Sequence, residues 1–195
     1  MAKKVAILYA DGFEDVEALA TRDVLLRGGV EVADLRIENN LNPHVVQASH
    51  GLLLAGFDFA SNHNPNEFDA VILPGGGLGT QNLLKSKEVE RYLKYMNENN
   101  KLMCAICAAP MVLGKYGLLH NKKFTCFAGC NEGLDGDFTA NEVEIDGNII
   151  TGRSMLYSVP FGLAILEYLL GKEAKERVYK QIEGLNRKWL IEDQN

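Results

Sequence analysis

The sequence has no excess of positive charge and no long apolar run. Its 195 residues carry 20 Lys and Arg against 26 Asp and Glu, a formal net charge of -6. General binding of nucleic acid or of an anionic membrane needs a basic surface, so this charge balance argues against both classes of partner. The most apolar late stretch contains Glu167 and is too short to cross a bilayer: "FGLAILEYLLG". We therefore predict a protein that binds neither nucleic acid nor membrane.

Signals for secretion and for covalent cross-linking are equally sparse. The apolar run after the two N-terminal lysines stops at Asp11, too early for a secretory segment, which predicts a cytoplasmic protein. Its four cysteines are then expected to be reduced thiols. A chain of this length can bury a sizeable core without disulfides or metals. Because we find no internal repeat, low-complexity segment or linker, we predict one domain over residues 1–195.

Nucleotide and metal signatures are missing as well. The glycine-rich run "PGGGLGT" has Thr80 where the dinucleotide fingerprint needs a glycine, and no lysine follows it as in a P-loop. No histidine stands at zinc-knuckle spacing to Cys126 and Cys130, so we predict neither a metal site nor a cofactor. Those two cysteines, four residues apart, remain open to interpretation as a redox pair.

The segments that are present alternate between strand and helix patterns. Fully apolar strands separated by helices predict a mostly parallel sheet that is covered on both faces. In such sheets, sites form outside the carboxyl ends of the strands. Three segments bring unusual residues to that edge: "ADGFEDVE", "PGGGLGT" and "CAAP".

Cys104 and Cys107 are three residues apart but do not fit a redox or metal pair. Side chains on a strand alternate between faces, whereas a thioredoxin-type pair needs both sulfurs at a helix N-terminus. Cys104 is therefore predicted to be a buried strand residue. Cys107 precedes the small residues "AAP", which a sharp turn from strand to helix requires. A thiol there would face the positive end of a helix, which predicts a lowered pKa and a nucleophile; another buried core thiol is the alternative.

Two further segments could assist a thiol at Cys107. The glycine-rich run offers backbone N–H groups that suit an oxyanion hole or an anion nest, or else it is only a loop needed for geometry. Glu17 shares a helical stripe with Ala20 and Val24, so partial burial would raise its pKa. The protonated carboxyl could then donate a hydrogen bond to a thiolate or exchange protons in catalysis. The alternative is a solvated carboxylate in the first turns of a helix.

Taken in this order, the three segments resemble those of a known family. The chain resembles the ThiJ/PfpI superfamily, in the branch of the parkinsonism-associated protein DJ-one and its bacterial relatives. The resemblance extends from residue 3 to about residue 180. It implies a flavodoxin-like three-layer α/β/α sandwich with a nucleophile elbow, and usually a homodimer. The matching motifs are "GFEDVEA", "RDVLLRGG", "DAVILPGGGLGTQNL", "CAICAAP" and "FGLAILEYLLGKE".

The resemblance also implies roles for individual residues. Cys107 becomes the reactive elbow cysteine, and Glu17 becomes the protonated glutamate beside it. The amides of Gly76 and Ala108, with Gly75 in the same run, are expected to face the sulfur or a substrate oxygen. These five residues constitute the predicted catalytic and anion-binding site.

Other positions match the family near the site or the dimer interface. Asp23 and Arg27 match positions on the first helix. His50 stands where some members extend an arginine across the dimer toward the partner's site. Arg153 is kept, but the bulky residues 155–157 follow it where the family has small ones, so the pocket is expected to be lined differently.

Two departures limit the catalysis that the resemblance implies. The protease-like branch places a histidine directly after the cysteine, whereas this chain has Ala108, so we exclude a peptidase with a Cys–His dyad. Many members of the DJ-one branch carry a histidine near the site where this chain has Phe127. That change removes one proton shuttle and weakens a direct transfer of glyoxalase activity.

The resemblance leaves three functions open. The first is glyoxalase or deglycase activity on 2-oxoaldehydes or their adducts, with Cys107 as nucleophile and Glu17 moving protons. The second is a non-enzymatic redox sensor or chaperone in oxidative stress, acting through a sulfinate at Cys107. The third is a binding protein with an inert thiol. The expected partners are a small reactive carbonyl or a peroxide, and a second copy of the chain.

Overall fold

The computed structural model describes residues 2–38 and 45–185, so residue 1, residues 39–44 and residues 186–195 of the predicted domain lie outside the described residues. The strands of the described ranges are β1 (Lys4–Tyr9), β2 (Glu31–Arg36), β3 (Val45–Gln47), β4 (Leu53–Ala55), β5 (Asp58–Phe59), β6 (Ala70–Leu73), β7 (Leu102–Ile106), β8 (Lys123–Phe124), β9 (Asp137–Phe138), β10 (Val143–Asp146) and β11 (Ile149–Gly152). The α-helices are α1 (Asp15–Gly28), α2 (Gly77–Leu83), α3 (Lys87–Glu98), α4 (Pro110–Lys115), α5 (Ser158–Leu170) and α6 (Lys172–Ile182).

Seven strands form one sheet, in the order β10-β11-β7-β6-β1-β2-β5. Every neighbouring pair is parallel except β10–β11. Strands β6 and β7 are buried along their whole length, as expected for strands that helices cover on both faces. The two short pairs β3–β4 and β8–β9 lie outside this sheet. The prediction of a mostly parallel sheet is confirmed.

The alternation of side chains along β1 separates two apolar cores. Val5 and Ile7 join the core formed with α1, α5 and α6, whereas Ala6 and Leu8 join the core formed with α3 and α4. Helices therefore cover both faces of the sheet, and the predicted three-layer α/β/α sandwich is confirmed. None of the helices in residues 2–38 and 45–185 combines the length and apolarity needed to cross a membrane.

Local signals in the sequence fix both ends of α1. The Glu14 carboxylate accepts the Glu17 N–H at 2.7 Å and caps the first turn. Gly29 adopts φ 86, and its N–H donates to carbonyls of the last turn, which ends the helix. A side chain at Gly28 would overlap Leu166 of α5, so glycine allows the two helices to pack closely. These contacts orient the helix face that carries Glu17.

The glycine-rich run departs from its interpretation as a loop. Only its first residues form a turn, and α2 begins at Gly77. Gly76 adopts φ 89 and its carbonyl accepts the Thr80 N–H at 2.9 Å, so the helix begins directly after the sharp turn. Because β1, β6 and β7 are parallel neighbours, the chain leaves all three at one edge of the sheet. The three segments singled out in the sequence therefore meet there.

Candidate active site

Cys107 lies in a sharp turn between β7 and α4. Its φ of 63 is in the left-handed region, which a non-glycine residue adopts at a cost of roughly 1–3 kcal/mol. Neighbouring segments hold the turn, because the Cys107 N–H donates to the Gly152 carbonyl at 2.9 Å and its carbonyl accepts the Phe127 N–H at 2.8 Å. The Ala109 N–H donates to the Ile106 carbonyl at 3.0 Å. This is the backbone geometry that the sequence predicted for a nucleophile elbow.

Glu17 is buried and directed at the elbow, with only 1% of its surface exposed. Its Oε2 accepts the Gly75 N–H at 2.9 Å, and the carboxyl interacts with the Cys107 thiol. The pKa of Glu17 is raised to about 7, mainly because the side chain is buried. The hydrogen bond with Cys107 lowers the pKa, the charge of Glu14 raises it, and the hydrogen bond from the Gly75 N–H lowers it. Near neutral pH, the protonated and ionised forms of Glu17 are therefore both populated. The expectation of partial burial understated how far the side chain is enclosed.

The environment of Cys107 acts against the lowered thiol pKa that the sequence predicted. Burial raises the pKa of Cys107, and the charge of Glu17 and its hydrogen bond raise it further. The backbone amides of Ala108 and Gly76 lower it. The prediction was wrong because it considered the helix end alone and not the packing around the sulfur.

The Cys107 thiol and the Glu17 carboxyl titrate as a coupled pair. An ionised Glu17 favours the protonated thiol, whereas a protonated Glu17 can donate to the thiolate. Glu17 Oε1 has no hydrogen-bond partner of ordinary geometry in the described part of the chain. A proton on Oε1 directed at the sulfur would satisfy this buried oxygen. The pair can therefore hold one proton and one negative charge between its two members.

Two glycines allow the loop after β6 to approach this pair. A Cβ at Gly75 would lie 2.5 Å from Glu17 Oε2 and 2.8 Å from Cys107 Cβ. Gly76 has a positive φ, and a Cβ there would overlap the Gly12 carbonyl. The structure thus brings the five predicted residues together, with the amides of Gly76 and Ala108 both acting on the Cys107 sulfur. Such a nest of N–H groups suits an oxyanion.

Phe127 and Arg153 flank the elbow in different ways. Phe127 contacts Cys107 through its backbone, while the residue as a whole is 50% exposed. Arg153 donates to the Ala140 carbonyl at 2.9 Å and to the Tyr157 hydroxyl at 2.6 Å, and its guanidinium lies over the Tyr157 ring. Arg153 therefore links the segments of Ala140 and Tyr157 by hydrogen bonds to uncharged groups.

Asp23, Arg27 and His50 lie outside the contacts that join Cys107 and Glu17. Arg27 Nε lies 2.6 Å from Asp23 Oδ2, and both residues line a cavity of about 470 Å³ between α1, α5 and α6. His50 is exposed, and its Nδ1 lies 3.0 Å from Asp15 Oδ2 and 3.0 Å from Ser49 Oγ. Any role for these three residues in the site stays a prediction.

Sequence reasoning missed two features around the site. The Gly152 carbonyl anchors the elbow, and only its pairing across β7 and β11 reveals it. Glu14, Asp15 and His50 each place one ligand-type atom within 4.8 Å of the other two. The helix cap accounts for Glu14, and bonds to Ser49 and His50 account for Asp15. The cluster is thus explained without a metal.

The other cysteines divide into buried and partly accessible thiols. All four cysteines are free. Cys104 is fully buried in β7, as predicted, and Cys126 is also buried. Cys130 is half-buried. Cys104 is therefore part of the apolar core. Cys126 and Cys130 lie on the segment whose Phe127 N–H donates to the Cys107 carbonyl.

Sequence comparison connects this geometry to known proteins. The DJ-1/PfpI family profile matches residues 3–168. Protein DJ-1 homolog B of Arabidopsis thaliana is 39% identical over 174 residues, which cover 88% of this chain and 39% of that protein. The chain thus spans less than half the length of this plant relative. The Parkinson disease protein 7 homolog of Danio rerio is 32% identical over 90% of this chain and 94% of its own length. A Pyrococcus abyssi protein named as a deglycase is 33% identical over 77% of this chain and 89% of its own length.

Solved structures share the architecture. A DJ-1 superfamily protein of Salmonella typhimurium, crystallised as a cysteine-to-alanine mutant, has a TM-score of 0.86 and 32% identity over 94% of this chain and 97% of its own. Oxidized Toxoplasma gondii DJ-1 has a TM-score of 0.81 and 28% identity over 93% of this chain and 98% of its own. The predicted flavodoxin-like fold is thereby confirmed. With the family profile matched over most of its length, this chain belongs to the DJ-1/PfpI family.

Proposed function

We propose that this protein converts 2-oxoaldehydes, or the adducts they form on thiols and amines, with Cys107 as nucleophile. The observation that carries the proposal is the enclosed pair of Cys107 and Glu17 facing the amides of Gly76 and Ala108. The Pyrococcus abyssi relative named as a deglycase supports the same reaction class.

Each part of the pair supplies one element of the reaction. The Cys107 thiolate adds to the aldehyde carbon, and the amides of Gly76 and Ala108 hold the resulting alkoxide. Glu17 removes the proton from that carbon and returns one to the neighbouring carbon, which converts the hemithioacetal into a thioester. Water hydrolyses the thioester and releases a 2-hydroxy acid and the free thiol. Methylglyoxal thus gains one water and becomes lactate, with no external oxidant.

Glu17 carries the proton transfers alone in this scheme. Phe127 contributes a backbone N–H to the elbow and an apolar ring, so it cannot replace a histidine as proton shuttle. A pKa of about 7 suits Glu17 to both roles, because it can lose and regain a proton near neutral pH.

The test is the rate of lactate formation from methylglyoxal. We expect Cys107→Ser to lower the rate at least about 100-fold, because a serine hydroxyl is a much weaker nucleophile than a cysteine thiolate at neutral pH. Cys130→Ser is the matched control, since its sulfur is outside the pair, and should keep the wild-type rate. The proposal fails if the wild type is no faster than Cys107→Ser.

A second function, as a redox sensor, uses the same residues. Two equivalents of a peroxide would oxidise Cys107, first to a sulfenate and then to a sulfinate, each peroxide transferring one oxygen and being reduced to water or an alcohol. The sulfinate oxygens could accept from the Gly76 and Ala108 amides and from protonated Glu17. The solved structure of oxidized Toxoplasma gondii DJ-1 favours this candidate. Mass spectrometry after mild peroxide should then show two added oxygens on Cys107. Earlier oxidation of Cys126 or Cys130 would count against it.

We also infer that the protein acts as a cytoplasmic homodimer. The exposed Asp23–Arg27 pair borders an open cavity on α1, and this surface is available to a second copy. A dimer formed there would cover the cavity. The oligomeric state in solution tests the inference.

A further inference from the structure

Cys126 and Cys130 form a second thiol pair beside the elbow. Both are free, and both pack against the core beneath α3 and α4. Burial raises the pKa of Cys126 to about 12, and the negative charge of Cys130 adds to the shift. The two side chains therefore lie against the same apolar core.

A tight turn connects the two cysteines. The Cys130 N–H donates to the Phe127 carbonyl at 2.9 Å. Between these residues are only Ala128 and Gly129, and Gly129 adopts φ 86 with open space around it. A hydrogen-bonded turn brings the flanking segments together, and a disulfide needs Cα atoms roughly 4.4–6.8 Å apart. The small residues of the turn and its open outer side leave it free to adjust to that distance.

The two sulfurs differ in access. Cys126 has 1% of its surface exposed, so a reagent cannot reach it directly. Cys130 is half-buried and reaches the surface. This difference sets an order of events, in which the accessible thiol reacts first and the enclosed thiol completes the reaction.

We propose that Cys126 and Cys130 are a dithiol that closes to an intramolecular disulfide by exchange with low-molecular-weight disulfides. The Cys130 thiolate attacks one sulfur of the small disulfide, which forms a mixed disulfide and releases one small thiolate. Cys126 then loses its proton, attacks the Cys130 sulfur and expels the second small thiolate. The protein gives up two electrons and two protons, and one small disulfide becomes two thiols.

This reaction is separate from the chemistry proposed for Cys107. Disulfide exchange at Cys126 and Cys130 does not require Cys107. Conversion of a carbonyl at Cys107 does not require Cys126 or Cys130. The two sites nevertheless share a segment, because the Phe127 N–H next to Cys126 donates to the Cys107 carbonyl. The proposal therefore stands whether or not the carbonyl activity is found.

Trypsin divides the four cysteines into two peptides, which makes the test direct. Residues 102–115 carry Cys104 and Cys107, and residues 124–153 carry the other two. The reduced full chain is incubated with oxidised glutathione, alkylated, digested and analysed by mass spectrometry. Mildly alkaline solution is used because burial raises the pKa of both Cys126 and Cys130.

We expect peptide 124–153 to carry no alkyl group and to weigh two hydrogens less than the reduced, unalkylated peptide. After reduction and renewed alkylation, it should carry two alkyl groups. Cys107→Ser should form the same disulfide as the wild type, whereas Cys130→Ser should leave Cys126 as a free thiol. The wild-type peptide decides the question even if Cys130→Ser folds poorly. Full alkylation of peptide 124–153, a lasting glutathione adduct on Cys130, or a link between the two peptides would overturn the proposal.

Discussion

At the scale of single residues, the candidate site centres on a buried carboxyl, Glu17, beside the thiol of Cys107. Glu17 combines deep burial with a hydrogen bond from Gly75 N–H and an interaction with Cys107. Neither group behaves as its residue type alone would predict, because each determines which form of the other is stable. The pKa of Cys107 thus depends on the protonation of Glu17.

Glu17 should make the stability of the protein depend on pH. Its pKa is about 7 in the folded chain against 4.5 ordinarily, so the folded state favours the protonated form. This stabilisation is complete below pH 4.5 and is lost as pH rises to about 7, a change of about 3 kcal/mol at most. Urea unfolding of wild type and Glu17→Gln between pH 4.5 and 8 measures it. As pH rises, the free energy of unfolding of the wild type should fall relative to that of Glu17→Gln. A difference between the two proteins that does not change with pH would contradict the prediction.

Glu17→Gln should also separate thiol reactivity from catalysis. Removing the carboxylate removes its charge from beside Cys107, so the thiol pKa should fall and alkylation should begin at lower pH. Lactate formation should nevertheless fall by about 100-fold or more, because the group that transfers protons is gone. Glu98→Gln, on the exposed end of α3, is the control and should change neither readout. Faster alkylation together with an unchanged lactate rate would remove Glu17 from the mechanism.

At the scale of elements, three turns at one edge of the sheet form the site. Strands β1, β6 and β7 end side by side and lead into α1, α2 and α4. Two glycines after β6 let its loop touch both the carboxyl on α1 and the elbow after β7. The spacing of these turns, more than any single hydrogen bond, determines where the N–H groups point.

Gly75→Ala should damage the site, whereas Gly77→Ala should not. A methyl group at Gly75 lies too close to Glu17 Oε2 and Cys107 Cβ, and relief of that overlap should cost roughly 1–3 kcal/mol. Nothing lies within 4 Å of a Cβ at Gly77, in the same run. Urea unfolding and the lactate rate measure both variants. Equal behaviour of the two alanines would show that the close approach at Gly75 has no consequence.

At the scale of the whole molecule, the sandwich leaves one face of α1 open. Asp23 and Arg27 border a cavity of about 470 Å³ that the described chain does not fill. The opposite layer, with α3 and α4, has its own apolar core beneath an exposed polar surface. The two sides of the molecule therefore offer different surfaces to a second copy.

Charge reversal on α1 should weaken the proposed dimer. We expect the wild type to sediment as a dimer and Arg27→Glu to shift toward the monomer, because the substitution replaces the Arg27–Asp23 ion pair with two like charges on the proposed interface. Lys94→Glu, on the exposed side of α3, makes the same charge change on the other layer and should remain dimeric. Sedimentation velocity measures all three. A monomeric wild type would exclude the dimer. A variant Arg27→Glu that remains dimeric would place the interface elsewhere.

The alternation of strands and helices and the elbow at Cys107 could be predicted from the sequence alone. These follow from local rules, since apolar periodicity and small residues act within a few positions of one another. The burial of Cys104 was predictable for the same reason, because it lies inside a fully apolar strand.

The electrostatics of the site depend on how the folded chain packs around it. The pKa of Cys107 is raised where its helix end predicted a lowered one, because Glu17 and surrounding apolar groups converge on it from segments distant in sequence. The contacts of Gly152 and Phe127 with the elbow likewise depend on strand pairing and loop packing, which no local pattern encodes. Long-range packing sets the charge and shape of this site, whereas local sequence sets the elements that carry it.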